Sequence, residues 1–433
     1  MLFLYSFVEV DTETGQVTFL QVVAMHEVGK ATNLSPRAGH CQRRERRDRG
    51  THARAADHAR EDVASPEAEG GGSSRSAVAG RGTLMESWKT LVNELDAAGE
   101  AALYRAMSHF WHPVLYAAEL ADKPVRVHLL DQQLAVVRLG GEVCAFADLC
   151  VHRGTALSLG RVEGNQLRCA YHGWTYGPEG VCTSIPARFG TSIPTRARLT
   201  RYHAAEACGL IWVCLAVEPR FPLPELPEMA DPHYRLVSVP AYEWHVGSAR
   251  RVENFVDFAH FAWVHDGLLG DHNRPEVPDH EVWREGAELR MRIEVTQPPS
   301  GGATKGLGPE AGDVRASSEY RLFMPYTIWL HQTLNHNPAY NFVLFMAASP
   351  VSPKRTRCFT FIARSHDLDG DDQKYVDFQE LILSQDKPIA ESQRPEELPV
   401  DLSAELHIKG VDRVSLEYRT WLLELANQYG RDQ

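Results

Sequence analysis

The chain has no apolar run of eighteen residues, the length a membrane-spanning helix needs, and its opening MLFLYSFVEV is broken by Glu9 and Asp11. No signal peptide, anchor or membrane partner is therefore expected. Cysteine is scarce, with eight in 433 residues, and the eight lack the dense, regular spacing of a disulfide scaffold. A reducing cytoplasm is the expected compartment. Positive charge is also short: 45 Lys and Arg face 57 Asp and Glu, a net charge of -12. That balance argues against nucleic acid or an anionic membrane surface and leaves a small molecule as the expected substrate. Neither a GxGxxG dinucleotide fingerprint nor a plant-type CxxxxCxxC cluster motif occurs.

What is present is a globular composition, 43% hydrophobic and 24% charged, with enough apolar material for two or three domains. Residues 26–84 are rich in Arg, Ala, Gly and Ser and poor in large apolar side chains. Such a stretch buries too little surface to offset its ordering entropy. We expect residues 1–84 to be a disordered extension, with Met85 starting the folded protein. A transit peptide is the alternative, and Asp48, Asp57, Glu61, Asp62, Glu67 and Glu69 count against it. A helical pattern follows over 85–104. A small β domain is expected over 105–222, where VRVHL (125–129) and LAVVRL (134–139) are separated by DQQ and LGG turn signals. FPLPELPEM (221–229) is its exit linker, and 235–430 mixes strand and helix patterns, ending in a helix over Ser415–Tyr429. The fold class is α+β, an all-β domain followed by an α+β domain with an antiparallel sheet.

Inside the β domain stand Cys150-Val151-His152 and, after sixteen intervening residues, Cys169-Ala170-Tyr171-His172. Two thiolates and two imidazoles suit a tetrahedral zinc or a Rieske cluster, in which two Cys hold one iron and two His the other. Structural zinc usually takes CxxC or HxxxH knuckles. CxH paired with CxxHG, punctuated by Gly154, Gly164 and Gly173, matches the cluster better, and the zinc knuckle remains the bland alternative.

Further on, Asn254, Asp257, His260 and His265 are interleaved with Phe255, Phe258, Phe261 and Trp263. Asp257 and His260 share a helix face, but His265 lies about 140° round an ideal helix from His260. A break or π-type bulge between the histidines would bring them together. Without further context, two histidines on an apolar helix are more often core or surface residues than ligands. Tyr375, Phe378, Ile382 and Asp386 run along one apolar stripe, so Asp386 points where the core points, and a buried acid needs a partner. Pro388 is expected to end the regular helix there. DLDGDD (367–372) reads as a solvated loop.

The segments CVHRG and CAYHGWTY resemble the two cluster loops of Rieske non-heme iron oxygenases. Where respiratory Rieske proteins carry an extra disulfide, this chain has Thr155 and Tyr171. NxxDxxHxxxxH resembles that family's mononuclear-iron helix, and QDKPIAESQ its carboxylate segment. The similarity covers roughly 105–425 and is greatest to the vanillate O-demethylase and dicamba monooxygenase group and to saxitoxin-pathway oxygenases. It implies a Rieske [2Fe-2S] cluster on Cys150, His152, Cys169 and His172, and a mononuclear Fe(II) on His260, His265 and Asp386. It implies Asn254 and Asp257 in catalysis, with Asp257 orienting His260 and bridging, through a free oxygen, to a cluster histidine of the next subunit in a homotrimer. It implies monooxygenation, by hydroxylation or demethylation of an aromatic or alkaloid-like substrate, with electrons from a separate NAD(P)H-dependent reductase or ferredoxin. Ring cis-dihydroxylation and a non-catalytic electron carrier are the alternatives. For the pocket, Phe323, Tyr326, Trp329, His331 and Phe345 are aromatic candidates, with strand core as the safer reading of each.

Overall fold

The computed structural model describes residues 99–188, 192–299 and 312–430 in full, and the backbone of three strands nearer the N-terminus. Those strands are β1 (Phe3–Val10), β2 (Val17–Met25) and β3 (Ala31–Leu34), antiparallel in the order β1-β2-β3. The expectation of disorder over 1–84 is thus not met in these three strands. The aromatic and β-branched residues of FLYSFVEV and VTFLQVVAM favour a pleated strand, and that signal was outweighed by the polar stretch behind them. The rest of 35–98, including most of the expected helix over 85–104, lies outside the described residues. Its described end is α1 (99–106). Met1–Arg75 and Ser76–Gln433 are separate compact units.

In the second unit the chain runs through β4 (His112–Tyr116), β5 (Val125–Leu129), β6 (Gln132–Leu139) and β7 (Glu142–Ala147). Then come the short β8 (Arg161–Glu163), β9 (Gln166–Arg168), β10 (Thr175–Tyr176) and β11 (Cys182–Ser184), and last β12 (Arg201–Ala207) and β13 (Leu210–Cys214). One sheet has the order β4-β13-β12-β7-β6-β5, the other β11-β10-β9-β8. The first hairpin turns at Leu130 and Asp131, both at positive φ, and the second at Gly140 and Gly141. Each turn falls at or next to its sequence signal.

The remainder is built on a seven-stranded antiparallel sheet. Its elements in chain order are β14 (Arg235–Trp244), α2 (Ser248–Val256), α3 (Phe261–Val264), β15 (His280–Glu285), β16 (Glu288–Gln297) and β17 (Val314–Phe323). After these follow β18 (Thr327–Leu334), β19 (Asn337–Ser352), β20 (Arg355–Arg364), α4 (Gln373–Ser392) and α5 (Arg413–Tyr429). The strand order is β14-β20-β19-β18-β17-β16-β15. Period-two alternation assigns its faces. Met291, Ile293, Tyr320, Leu330 and Leu344 pack toward the helices, whereas Trp329, Phe345, Phe359 and Phe361 pack with Leu210 and Trp212 of β13. The expected linker is part of this second cluster through Leu223, Leu226 and Met229. The two sequence regions also share the main core: Val114, Leu115, Leu134 and Ile211 belong to the same cluster as Val237, Val252 and Leu344.

Two local expectations are corrected. α2 ends at Val256 and Asp257 is extended (φ -80, ψ 127), so the break falls before His260 rather than between the histidines. α4 runs through Pro388 to Ser392. Pro388 removes one helical N–H, but burial of Ile382, Leu383, Asp386 and Ala390 along α4 offsets that loss. Among the described residues no helix is long and apolar enough to cross a membrane.

Candidate metal centres

The two Cys/His loops share one backbone design. In the first, Cys150 N–H donates to Thr155 O (2.8 Å) and Gly154 N–H to Cys150 O (2.8 Å); in the second, Cys169 N–H donates to Trp174 O (2.9 Å) and Gly173 N–H to Cys169 O (3.2 Å). Each turn needs a left-handed residue at its tip, which Gly154 (φ 68) and Gly173 (φ 69) supply. Cys150 and Cys169 are buried with free thiols. His152 and His172 lie outward of them, their Nδ1 atoms 3.2 Å apart, and His152 stacks on Trp174 at 4.6 Å. Tyr176 OH lies 3.0 Å from Cys150 Sγ. Burial and the neighbouring Cys169 push the Cys150 thiol up, against hydrogen bonds from Tyr176 and the His152 backbone. A positively charged inorganic group is what would hold both sulfurs as thiolates.

A tetrahedral zinc would bring its donors to roughly 3.3–3.8 Å of one another. Among the described residues, groups of three or more donors closing to within 4.8 Å occur only at His260, His265 and Asp386 and at Asp266, Asp271 and His272. The Cys150, His152, Cys169 and His172 donors do not close around one point, as fits two irons rather than one zinc. The Asp266 group is an exposed loop held by its own hydrogen bonds.

At the second centre, α3 is a single turn bracketed by the two histidines. His265 is 1% exposed, and its Nε2 lies 3.0 Å from Asp386 Oδ1, with His260 Nε2 3.5 Å from the same oxygen. His260 Nδ1 faces Asp257 Oδ2 at 3.0 Å and His265 Nδ1 faces Gln385 Oε1 at 2.8 Å. Both oxygens are acceptors, so each Nδ1 donates and each Nε2 is left facing Asp386. Asp386 Oδ1 is buried without a hydrogen-bond partner. Two imidazole nitrogens and a carboxylate oxygen converging on one buried point fit a divalent cation. Burial works against charge on His260, yet Asp257 and Asp386 outweigh it and push the imidazole up to about 9. Burial also opposes ionisation of Asp386, but the two histidines and Arg251 hold it well below the usual carboxylate range.

The oxygen of Asp257 expected to be free accepts the Ala259 N–H at 2.9 Å. Asn254 Oδ1 accepts from Arg251 Nη1 at 3.0 Å.

Residues 110–195 match the Rieske [2Fe-2S] domain and residues 244–428 the vanillate O-demethylase oxygenase C-terminal domain. The chain is 37% identical over 332 residues to methylxanthine N1-demethylase NdmA of Pseudomonas putida, covering 75% of this chain and 90% of that protein. The chain belongs to the Rieske non-heme iron oxygenases. A second relative, methylxanthine N3-demethylase NdmB of the same organism, is 35% identical, covering 74% and 90%. The solved structure of NdmA with caffeine overlays with a TM-score of 0.68 at 34% identity, covering 75% of this chain and 93% of that one. Oxidoreductase NdmD of P. putida is 39% identical over 116 residues, 20% of its length. As an oxygenase component, the chain carries a Rieske domain and an oxygenase domain of the kind that uses a mononuclear iron.

In this Rieske oxygenase a cavity lies beside His260, His265 and Asp386, walled by α2, α3 and α4 and floored by the sheet. Its aromatic lining is Phe255, Phe261, Tyr320, Phe342 and Phe378. None of the five expected aromatics lines it: Phe323, Trp329 and Phe345 pack on the opposite face of the sheet, His331 lies against Trp329, and Tyr326 is core. Strand core, the safer reading, holds for Trp329 and Phe345; Phe323 and His331 are half-buried strand residues, and Tyr326 is buried in the turn between β17 and β18. Sequence reasoning missed Gln385, which holds His265, and Arg251, whose guanidinium reaches Tyr242 OH (3.0 Å) and lies over Trp244 (4.7 Å). Gln385 opens QDKPIAESQ, the segment that carries Asp386, and its place beside that ligand was the available signal; Arg251 carries no motif.

Proposed function

We propose that this oxygenase monooxygenates a methyl group on a small, neutral N-heterocycle, removing it as formaldehyde. The carrying observation is the convergence of His260, His265 and Asp386 beside a largely apolar cavity, in a chain similar over most of its folded length to two methylxanthine N-demethylases. In the balanced reaction the N-methyl heterocycle, O2, NADH and a proton give the N–H heterocycle, formaldehyde, water and NAD⁺. One oxygen atom leaves in the formaldehyde and the other in the water, and the two electrons come from NADH.

The assigned ligands are Cys150 and Cys169 on one cluster iron, His152 and His172 on the other, and His260, His265 and Asp386 on the mononuclear iron. When bound, the cluster supplies electrons singly and the mononuclear iron supplies O2 activation. The residues do the rest. Asp257 and Gln385 fix which imidazole nitrogen faces the iron. Arg251, held by Asn254 and Tyr242, keeps positive charge beside Asp386. Phe255, Phe261 and Phe378 limit water.

The site is completed in a homotrimer in the cytoplasm, with Asp257 of one subunit facing a cluster histidine of the next. Apolar side chains left exposed at both ends of that contact support this: Leu149, Val151 and Tyr171 in and beside the cluster loops, and Leu406, which lines a cleft with Asp257. The test is turnover of iron-loaded protein with reductase and NADH on N-methyl heterocycles. Formaldehyde and NADH in equal amounts are expected; a cis-diol without formaldehyde, or no substrate-dependent NADH oxidation, would overturn the reading.

A further inference from the structure

Along β16 the inward positions read Leu289, Met291, Ile293, Val295 and then Gln297. Four apolar residues and one amide share a face. The same interruption occurs on β18, where Gln332 stands in the series Ile328, Leu330, Gln332, Leu334, and on β17, where Ser318 sits between Ala316 and Tyr320. Ser318 and Gln332 are directly opposite in the ladder, and Gln332 Nε2 donates to Ser318 Oγ at 3.1 Å. That pair satisfies itself. Gln297 is 3% exposed, and its Oε1 has no hydrogen-bond partner among the described residues. A buried carbonyl left unpaired is unfavourable, and a Leu or Met in its register would continue the face without that cost.

Gln297 lines the cavity that holds His260, His265 and Asp386. The cation among the lining residues, Arg251, is engaged by Tyr242, Asn254 and Trp244 and lies beside Asp386. An anionic ligand finds no uncommitted positive charge among the described lining residues. A neutral ring carrying a hydrogen-bond donor finds an unpaired acceptor.

We propose that Gln297 is a specificity-determining residue, its side-chain carbonyl accepting a hydrogen bond from an N–H or O–H on the substrate ring. This rests on the reading of the substrate as a small neutral heterocycle. The amide of Gln332, on the same wall, is engaged by Ser318, whereas the carbonyl of Gln297 has no partner among the described residues. Such a contact discriminates by hydrogen bonding rather than by volume, because a ligand lacking the donor leaves the carbonyl unpaired.

The test is isothermal titration of the anaerobic, iron-loaded protein with caffeine, whose ring nitrogens carry no hydrogen, and with the isomeric dimethylxanthines such as theobromine, each of which lacks one of its methyl groups and carries one ring N–H. The parent should bind at least one isomer about 5- to 100-fold more tightly than caffeine, the range expected when a buried acceptor is paired or left unpaired. Gln297→Met should bring that isomer to within about twofold of caffeine without weakening caffeine, with iron content and cluster spectrum as checks on the fold. Gln297→Glu keeps an acceptor oxygen and should retain the preference. Equal affinity of the parent for all the xanthines, or a preference that survives in a folded Gln297→Met, would overturn the inference while leaving the substrate class standing. No binding of any xanthine would overturn the substrate reading and the inference with it.

Discussion

The Tyr176 hydroxyl lies 3.0 Å from the Cys150 sulfur, with both residues buried in the small core beneath the cluster loops. Burial, and then the Cys150 sulfur itself, push the phenol well above its ordinary range, so Tyr176 remains the donor. A hydrogen bond to a ligand sulfur favours the more negative, reduced cluster. Tyr176→Phe should therefore lower the reduction potential by about 20–60 mV, the one-electron equivalent of a hydrogen bond worth about 0.5–1.5 kcal/mol. Redox titration followed by visible absorbance reads it, and an unshifted potential would remove Tyr176 from the cluster's control.

Asp386→Ala should abolish turnover and remove the mononuclear iron while leaving the cluster spectrum intact. Asp371→Ala is the matched control, since Asp371 is exposed and bonds only its own turn. Asp372 would be a poor control: it accepts from Arg235 and from the fully buried Arg364, so its loss should lower the melting temperature without touching iron. Full iron in a folded Asp386→Ala would send the search to another carboxylate.

Gln385→Leu should weaken iron binding about 10- to 100-fold, because the imidazole of His265 loses the acceptor that fixes its tautomer. Chelator competition measures it. An unchanged affinity would mean that packing alone orients His265.

Asp257→Asn should keep both metal centres yet lose most turnover. An amide accepts through one oxygen, whereas Asp257 already uses one for His260 and the other for Ala259, with further lone pairs left for the proposed contact with a neighbouring subunit. Rapid mixing of the reduced variant with substrate and O2 decides: cluster oxidation as fast as in the parent would show that electrons bypass Asp257.

Glu405 sits between Arg250 and Arg419. Burial raises its pKa, but the two guanidiniums outweigh burial and hold it below the ordinary carboxylate value. A carboxylate depressed in the folded state stabilises fully above the unfolded value of about 4.3, and that stability is lost as pH falls through the lower folded value. Glu405→Gln should thus melt a few degrees below the parent at pH 7, worth about 1 kcal/mol after allowing for its partial exposure, and the gap should close below pH 4 or so. A gap that persists in acid would point to shape rather than charge.

The cluster loops were legible because Cys and His at those spacings have few other uses, and Gly154 and Gly173 declare the turns. The hairpins and the C-terminal helix were legible from periodicity. The break at Asp257 was not, because the helix stops where Asp257 caps the turn into His260 with its own side chain, a local choice with no period. The path of α4 through Pro388 was set by tertiary burial overriding propensity. The pocket aromatics could not be picked out because alternation names two faces of a strand and does not say which one meets the helices. Gln297 stood in plain view as an amide in an apolar series, and only the sheet order revealed what it faces.

The main core, in which Val114, Leu115 and Ile211 pack with Val237, Val252 and Leu344, bears on how such chains recombine. A chimaera that joins this chain's first 222 residues to another oxygenase's remainder would cut through the shared apolar cluster rather than between two independent bodies. Exchange of specificity between relatives is better sought strand by strand on the cavity floor than by trading whole halves at the proline-rich junction.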